Sequence, residues 1–283
     1  MKIKVSLGVS SLLLGCVAFS AQAQFGTEAV ELELIKVKDD LYVIHGAYVP
    51  GNVTALITND GVILVDDDFA VDHDNLMKKL REVTNQPVKY VINSHYHNDH
   101  SGGNAKLKAE GTLAVASIAA RTRMLAASPQ DAVNITVEPR GAVYLGGKVA
   151  EIYYFGRGHT DGDVVVLFPH DRTLAAGDLF THGEGLPQLV DHAGGGSQKE
   201  WTATLDKVLA LDFDAVVPGH GTVTNKQAVR EARDLSQRET EVLTQMVKQN
   251  RSPADIEAVL RKEFGFQDFH IMMSLTGLIS EFK

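Results

Sequence analysis

Apolar residues fall into two periods along the chain, and the switches between them lay out its elements. Leu41 to His45, Val53 to Thr58 and Val62 to Val65 are short aliphatic and β-branched runs, parted by Pro50-Gly51-Asn52 and Asn59-Asp60-Gly61. Runs of that length bounded by turn residues predict a hairpin-rich sheet. From Asn75 to Val83 the period changes, with Leu76, Met77, Leu80 and Val83 recurring at helical spacing, and this predicts a helix. Val88 to Asn93 returns to strand character.

The second half repeats the style. Val149 to Tyr154, Val164 to Phe168, Leu174 to Ala176 and Ala215 to Val217 are predicted strands. Ser197-Gln198-Lys199-Glu200 has the form of a capping box opening a helix with Trp201, Leu205, Val208 and Leu209. Ser252-Pro253 places proline at the first position of another helix, and Phe269 to Phe282 is apolar enough to cap a sheet. No linker interrupts residues 24–283, so one α/β domain is expected there.

The first residues are of another kind. Lys2 and Lys4 precede the mostly apolar Val5 to Phe19, and Ala21-Gln22-Ala23 fits a cleavage site, so residues 1–23 are read as a signal peptide. A periplasmic or secreted protein is expected, with no membrane attachment once the leader is removed. Cys16 is the chain's one cysteine, and Leu13-Leu14-Gly15-Cys16 offers the other reading, a lipidated Cys16 holding the protein to a membrane.

Composition narrows the partners. A chain of 283 residues, 44% hydrophobic, has room for a substantial core. Its formal net charge of -9, without a basic stripe, argues against nucleic acid and leaves a small-molecule substrate.

The chemistry is concentrated in His95-Tyr96-His97-Asn98-Asp99-His100, which follows the apolar run Tyr90-Val91-Ile92. One histidine in a loop is ordinarily structural, but three imidazoles and a carboxylate in six positions are the ligand types of a catalytic zinc site. His159, Asp178 and His220 add one candidate each, all near predicted strand ends and beside glycines.

In order as well as content, these positions resemble the metallo-β-lactamase superfamily: the strand Gly61-Val62-Ile63-Leu64-Val65-Asp66, the His-x-His-x-Asp-His motif, then a lone histidine, a lone aspartate and a final histidine. The resemblance implies a single-domain, four-layer αββα sandwich with two zinc ions, iron or manganese being the other candidates. His95, His97 and His159 would bind one ion, and Asp99, His100 and His220 the other. Asp178 would bridge them, Asp66 would orient a ligand imidazole, and Asp99 is also given a catalytic role. Seven ligands exceed what one catalytic zinc takes.

Such a pair makes hydroxide at neutral pH and polarises a carbonyl, so a β-lactam or other cyclic amide or ester is the expected substrate. Asp178 stands where one lactamase subclass has cysteine, a ligand set closer to glyoxalase II and the lactonases. A lactonase or thioesterase, and a mononuclear iron enzyme like the persulfide dioxygenases, are therefore the alternatives. Asp67 and Asp68 are read as solvated or turn-forming acids. The stretch Thr181 to Gly196 is read as a lid or a plain connection, with His182 and His192 as substrate contacts at most. His45, His73, His170 and His270 receive no role.

Overall fold

Two sheets lie face to face because their central strands are apolar on both sides. The computed structural model describes residues 26–46, 49–183 and 187–283. The signal-peptide reading and Cys16 lie outside those residues. The first sheet runs in chain order: β1 (Glu33–Lys36), β2 (Leu41–His45), β3 (Val53–Thr58), β4 (Gly61–Val65), β5 (Val88–Ile92), β6 (Leu113–Ala116) and β7 (Ile135–Thr136). Pairing is antiparallel from β1 to β4 and parallel from β4 to β7.

The second sheet has the order β13-β12-β11-β10-β9-β8, from β8 (Arg140–Leu145), β9 (Lys148–Tyr154), β10 (Val164–Phe168), β11 (Thr173–Ala175), β12 (Ala215–Val217) and β13 (Thr224–Asn225). Only β11 and β12 pair in parallel within it.

Strand periodicity assigns each residue to a layer. Ile63 and Val65 of β4 point inward with Ile92 and Val115, meeting Val164, Val166 and Phe168 of β10 between the sheets. Val62 and Leu64 point outward onto α1 (His73–Leu80), α3 (Asn104–Ala109) and α4 (Ile118–Ala127), through Leu76, Leu80, Leu107, Ala120 and Met124. Val165 and Leu167 point the opposite way, against α5 (Gln198–Leu209), α6 (Lys226–Lys248), α7 (Pro253–Phe264) and α8 (Asp268–Phe282). Helix, sheet, sheet, helix is the four-layer sandwich that the sequence implied.

Three local expectations change. The first helix covers His73–Leu80 and stops short of Val83. Ser197 does cap α5 by accepting from Glu200 N–H, but the Glu200 carboxylate pairs with Arg157 instead of closing a capping box. Asp67 and Asp68 are not solvated: both are 0% exposed, and the Asp67 carboxylate accepts from Gly103 N–H. Burial pushes both carboxyls well above the usual range. No described helix is long and apolar enough to cross a membrane.

Candidate metal centre

Parallel strands put their carboxyl ends on one edge, and loops leaving that edge form the usual crevice of α/β proteins. The end of β4 delivers Asp66, and the end of β5 delivers Ser94 to His100, with Asp99 and His100 on the single turn α2 (Asn98–Ser101). From the second sheet, β11 delivers Asp178, β12 delivers His220, and the β9–β10 connection carries His159. A bond from Val164 N–H to the Ser94 carbonyl, 2.8 Å, ties the two sheets together at this edge.

All seven sequence-predicted residues meet here. His95, His97 and His159 form one group with donor atoms within 4.8 Å, Asp99, His100 and His220 form another, and His95, His100 and Asp178 join them. His97 Nδ1 lies 3.0 Å from both His95 Nε2 and His159 Nε2, and His100 Nε2 lies 3.2 Å from His220 Nε2. Donors around one tetrahedral zinc at its usual bond length stand roughly 3.3 Å apart. Asp178 reaches both sides: Oδ2 is 3.5 Å from His159 Nε2 and from His220 Nε2, and Oδ1 is 3.3 Å from His100 Nε2.

The outer nitrogens show which way the lone pairs face. His100 Nδ1 donates to Asp66 Oδ2 at 2.9 Å, His97 Nε2 to Asp191 Oδ2 at 2.9 Å, and His159 Nδ1 to the Leu189 carbonyl at 2.5 Å. Ser94 Oγ has one proton and gives it to Asp66 Oδ2 at 2.8 Å, so at 3.0 Å it accepts from His95 Nδ1. In the neutral form that a metal requires, each of these four imidazoles would therefore have its proton outside and its lone pair inside. The chemistry of this donor set fits a metal, and so does Asp178 Oδ1, which is buried without a hydrogen-bond partner.

Burial, then neighbouring imidazoles, push His95 well below the ordinary histidine value, and burial takes His159 down to about 4. Burial would lower His100 and His220 too, but the carboxylates of Asp178 and Asp99 outweigh it, raising His220 to about 10. Burial would raise Asp99 and Asp178, yet the same two histidines hold both well below the carboxylate range. This half of the centre holds two acids against two imidazoles, a balance that a cation displacing the imidazole protons would preserve.

Residues 187–196, part of the stretch read as a lid, form a wall of the centre. Leu189 and Asp191 anchor His159 and His97, Tyr96 donates its hydroxyl to Asp191 Oδ2 at 2.6 Å, and Gly194 N–H donates to Asp191 Oδ1 at 2.8 Å. His192 faces away, bonded to Glu281 of α8 at 2.9 Å. His182 joins by its backbone, donating to the His220 carbonyl at 3.0 Å. Asp191 and Leu189 had no sequence signal, since one is an aspartate in a glycine-rich loop and the other acts through its carbonyl.

Known proteins resemble this chain in sequence and in fold. A sequence description of the Metallo-beta-lactamase superfamily matches residues 47–220. A metallo-beta-lactamase type 2 of Bacillus cereus is 30% identical over 266 residues, covering 82% of this chain and 97% of that protein. Another, from Elizabethkingia meningoseptica, is 26% identical over 79% of this chain and 91% of its own length. A solved metallo-beta-lactamase from Pontibacter korlensis superposes with a TM-score of 0.65 at 23% identity, over 73% of this chain and 99% of that one. Since the match spans more than half the chain and takes in every strand end just described, the protein belongs to the metallo-beta-lactamase superfamily.

Proposed function

We propose that the chain is an exported dinuclear zinc hydrolase that cleaves the bond between the carbonyl carbon and the ring nitrogen or oxygen of a cyclic amide or ester, with β-lactams the first substrates to test. One observation carries the proposal: seven donor residues converge in two groups, and Asp178 contacts both. His95, His97 and His159 would hold one ion and Asp99, His100 and His220 the other, with Asp178 between. When bound, such a pair supplies an activated water at neutral pH and positive charge for the oxyanion that forms as the carbonyl is attacked.

The chain's own groups do the positioning. Asp66, Asp191, Ser94 and the Leu189 carbonyl keep four imidazoles oriented through their outer nitrogens. Asp99, given a catalytic role by the resemblance, would act from the second group, where its Oδ2 stands 3.3 Å from His220 Nε2. The side chains of His97 and Asp99, 28% and 20% exposed, are the most open of the set, and substrate approaches between them. Buried His95 and His100 form the floor.

The lactam reading is supported by the names of the relatives, and export by Lys2, Lys4 and the apolar run that follows. A lactone or thioester is the second reading, favoured by an aspartate rather than a cysteine at position 178. Metal content measured with a hydrolysis panel of nitrocefin, a carbapenem, an acyl lactone and a thioester tests both. Two zinc ions per chain and opening of nitrocefin are expected. Lactone cleavage with neither lactam opened would move the substrate to the second reading, and one iron per chain with oxygen uptake would overturn the hydrolase.

A further inference from the structure

Gly51 and Asn52, in the turn between β2 and β3, belong to neither group of metal-donor side chains, yet they contact each member of the second group or the residues that flank it. Gly51 N–H donates to the Asp99 carbonyl at 3.2 Å, and Asn52 N–H to the Gly219 carbonyl at 2.7 Å. The Asn52 side chain, 4% exposed, donates through Nδ2 to the carbonyls of Pro218 at 2.8 Å and Gly221 at 2.9 Å, which bracket His220. Gly51 lies flat against the His100 imidazole, where any Cβ would overlap the ring. One pair of residues thus fixes the backbone beside Asp99, the backbone on both sides of His220, and the face of His100.

A carboxamide has two orientations, and only one aims both N–H groups at those carbonyls. His45 selects it. Its Nδ1 lies 2.6 Å from Asn52 Oδ1, which can only accept, so Nδ1 carries the proton and donates. The first group is braced elsewhere, by Ser94, Leu189 and Asp191.

From this division we infer that His45 and Asn52 are positioning residues for the second group alone, setting where His220 stands relative to Asp99 and His100 and hence how tightly the second ion is held. The inference rests on the two-metal reading above. Partners one step removed from a metal typically alter affinity by about 10- to 100-fold, because a ligand that wanders must be re-ordered each time the ion binds.

The test uses the zinc-loaded full chain, stripped stepwise by a graded chelator, with amide hydrogen exchange followed across residues 92–98 and 219–222. Asn52→Asp keeps the shape but replaces the two donors with an acceptor. It should weaken the more easily lost zinc about 10- to 100-fold, leave the other unchanged, and speed exchange at 219–222 but not at 92–98. His45→Phe should do the same more mildly, and His45→Gln, which can still donate, should restore wild-type behaviour. If Asn52→Asp does not fold, the His45→Phe and His45→Gln pair decides. Equal weakening of both zinc ions, or unchanged exchange at 219–222, would overturn the inference. A wild-type chain holding one zinc would instead overturn the two-metal reading, and exchange at 219–222 would still judge the brace.

Discussion

Glu239 of α6 is 4% exposed, and its Oε1 has no hydrogen-bond partner. Burial alone raises its carboxyl from 4.5 to about 8. The folded chain therefore holds this proton more tightly than the unfolded chain does. The stabilisation is full below about pH 4.5, declines as pH rises through the window to about 8, and changes no further above it. At 1.36 kcal/mol per unit, the decline amounts to roughly 5 kcal/mol.

Glu239→Gln removes the ionisation and keeps the shape. Its stability advantage over wild type should grow from under about 1 kcal/mol at pH 5 to roughly 4 to 5 kcal/mol at pH 9. Urea unfolding followed by the fluorescence of Trp201, the chain's one tryptophan, measures this. Taking the difference between the two proteins cancels every other titrating group. A difference constant within about 0.5 kcal/mol from pH 5 to 9, well below the expected change, would refute the reasoning and mean that the carboxylate reaches water.

Asp66→Ala removes the acceptor of His100 Nδ1 and of Ser94 Oγ, so chelator competition should show metal affinity falling about 10- to 100-fold; unchanged affinity would deny Asp66 its orienting role. Gly219→Ala puts a Cβ onto Asp178 Oδ1 and the backbone of Gly177, so turnover should fall by about 100-fold or more, measured on whichever substrate the panel identifies. Trp201→Ala empties a fully buried site and loses the bond from Nε1 to the Leu179 carbonyl at 3.0 Å. It should cost about 3 to 5 kcal/mol in chemical denaturation followed by circular dichroism, and a loss below about 1 kcal/mol would mean the cavity collapses.

Some elements were legible to the residue. Leu41–His45, Val53–Thr58, Val164–Phe168 and Ala215–Val217 are apolar runs closed by turn residues, and the strands have those bounds. Others gave no pattern. The longest described helix, α6, buries Val229, Ala232, Ser236, Glu239 and Leu243, a stripe too polar to stand out. In α4 the buried residues are Ala120 and Met124 while Ile118 is 54% exposed, so packing, not hydrophobicity, chose the inner face. Asp67 and Asp68 look solvated because three acids in a row do, yet they follow a central strand and pack beneath Gly102 and Gly103.

The candidate site divides in the same way. Its seven donors were readable from the chain because metal chemistry accepts few residue types, and the family order spaces them recognisably. Asp66 was readable with them. The family resemblance already implied two groups sharing Asp178; tertiary structure alone decided that Asp191, the Leu189 carbonyl and the His45–Asn52 pair hold them in place. Orientation of a ligand is set by ordinary acids, amides and backbone carbonyls from segments remote in sequence, Asn52 and Gly221 being separated by 169 positions. Such groups occur throughout any chain, and they acquire meaning only where the fold brings two strand ends to the same edge.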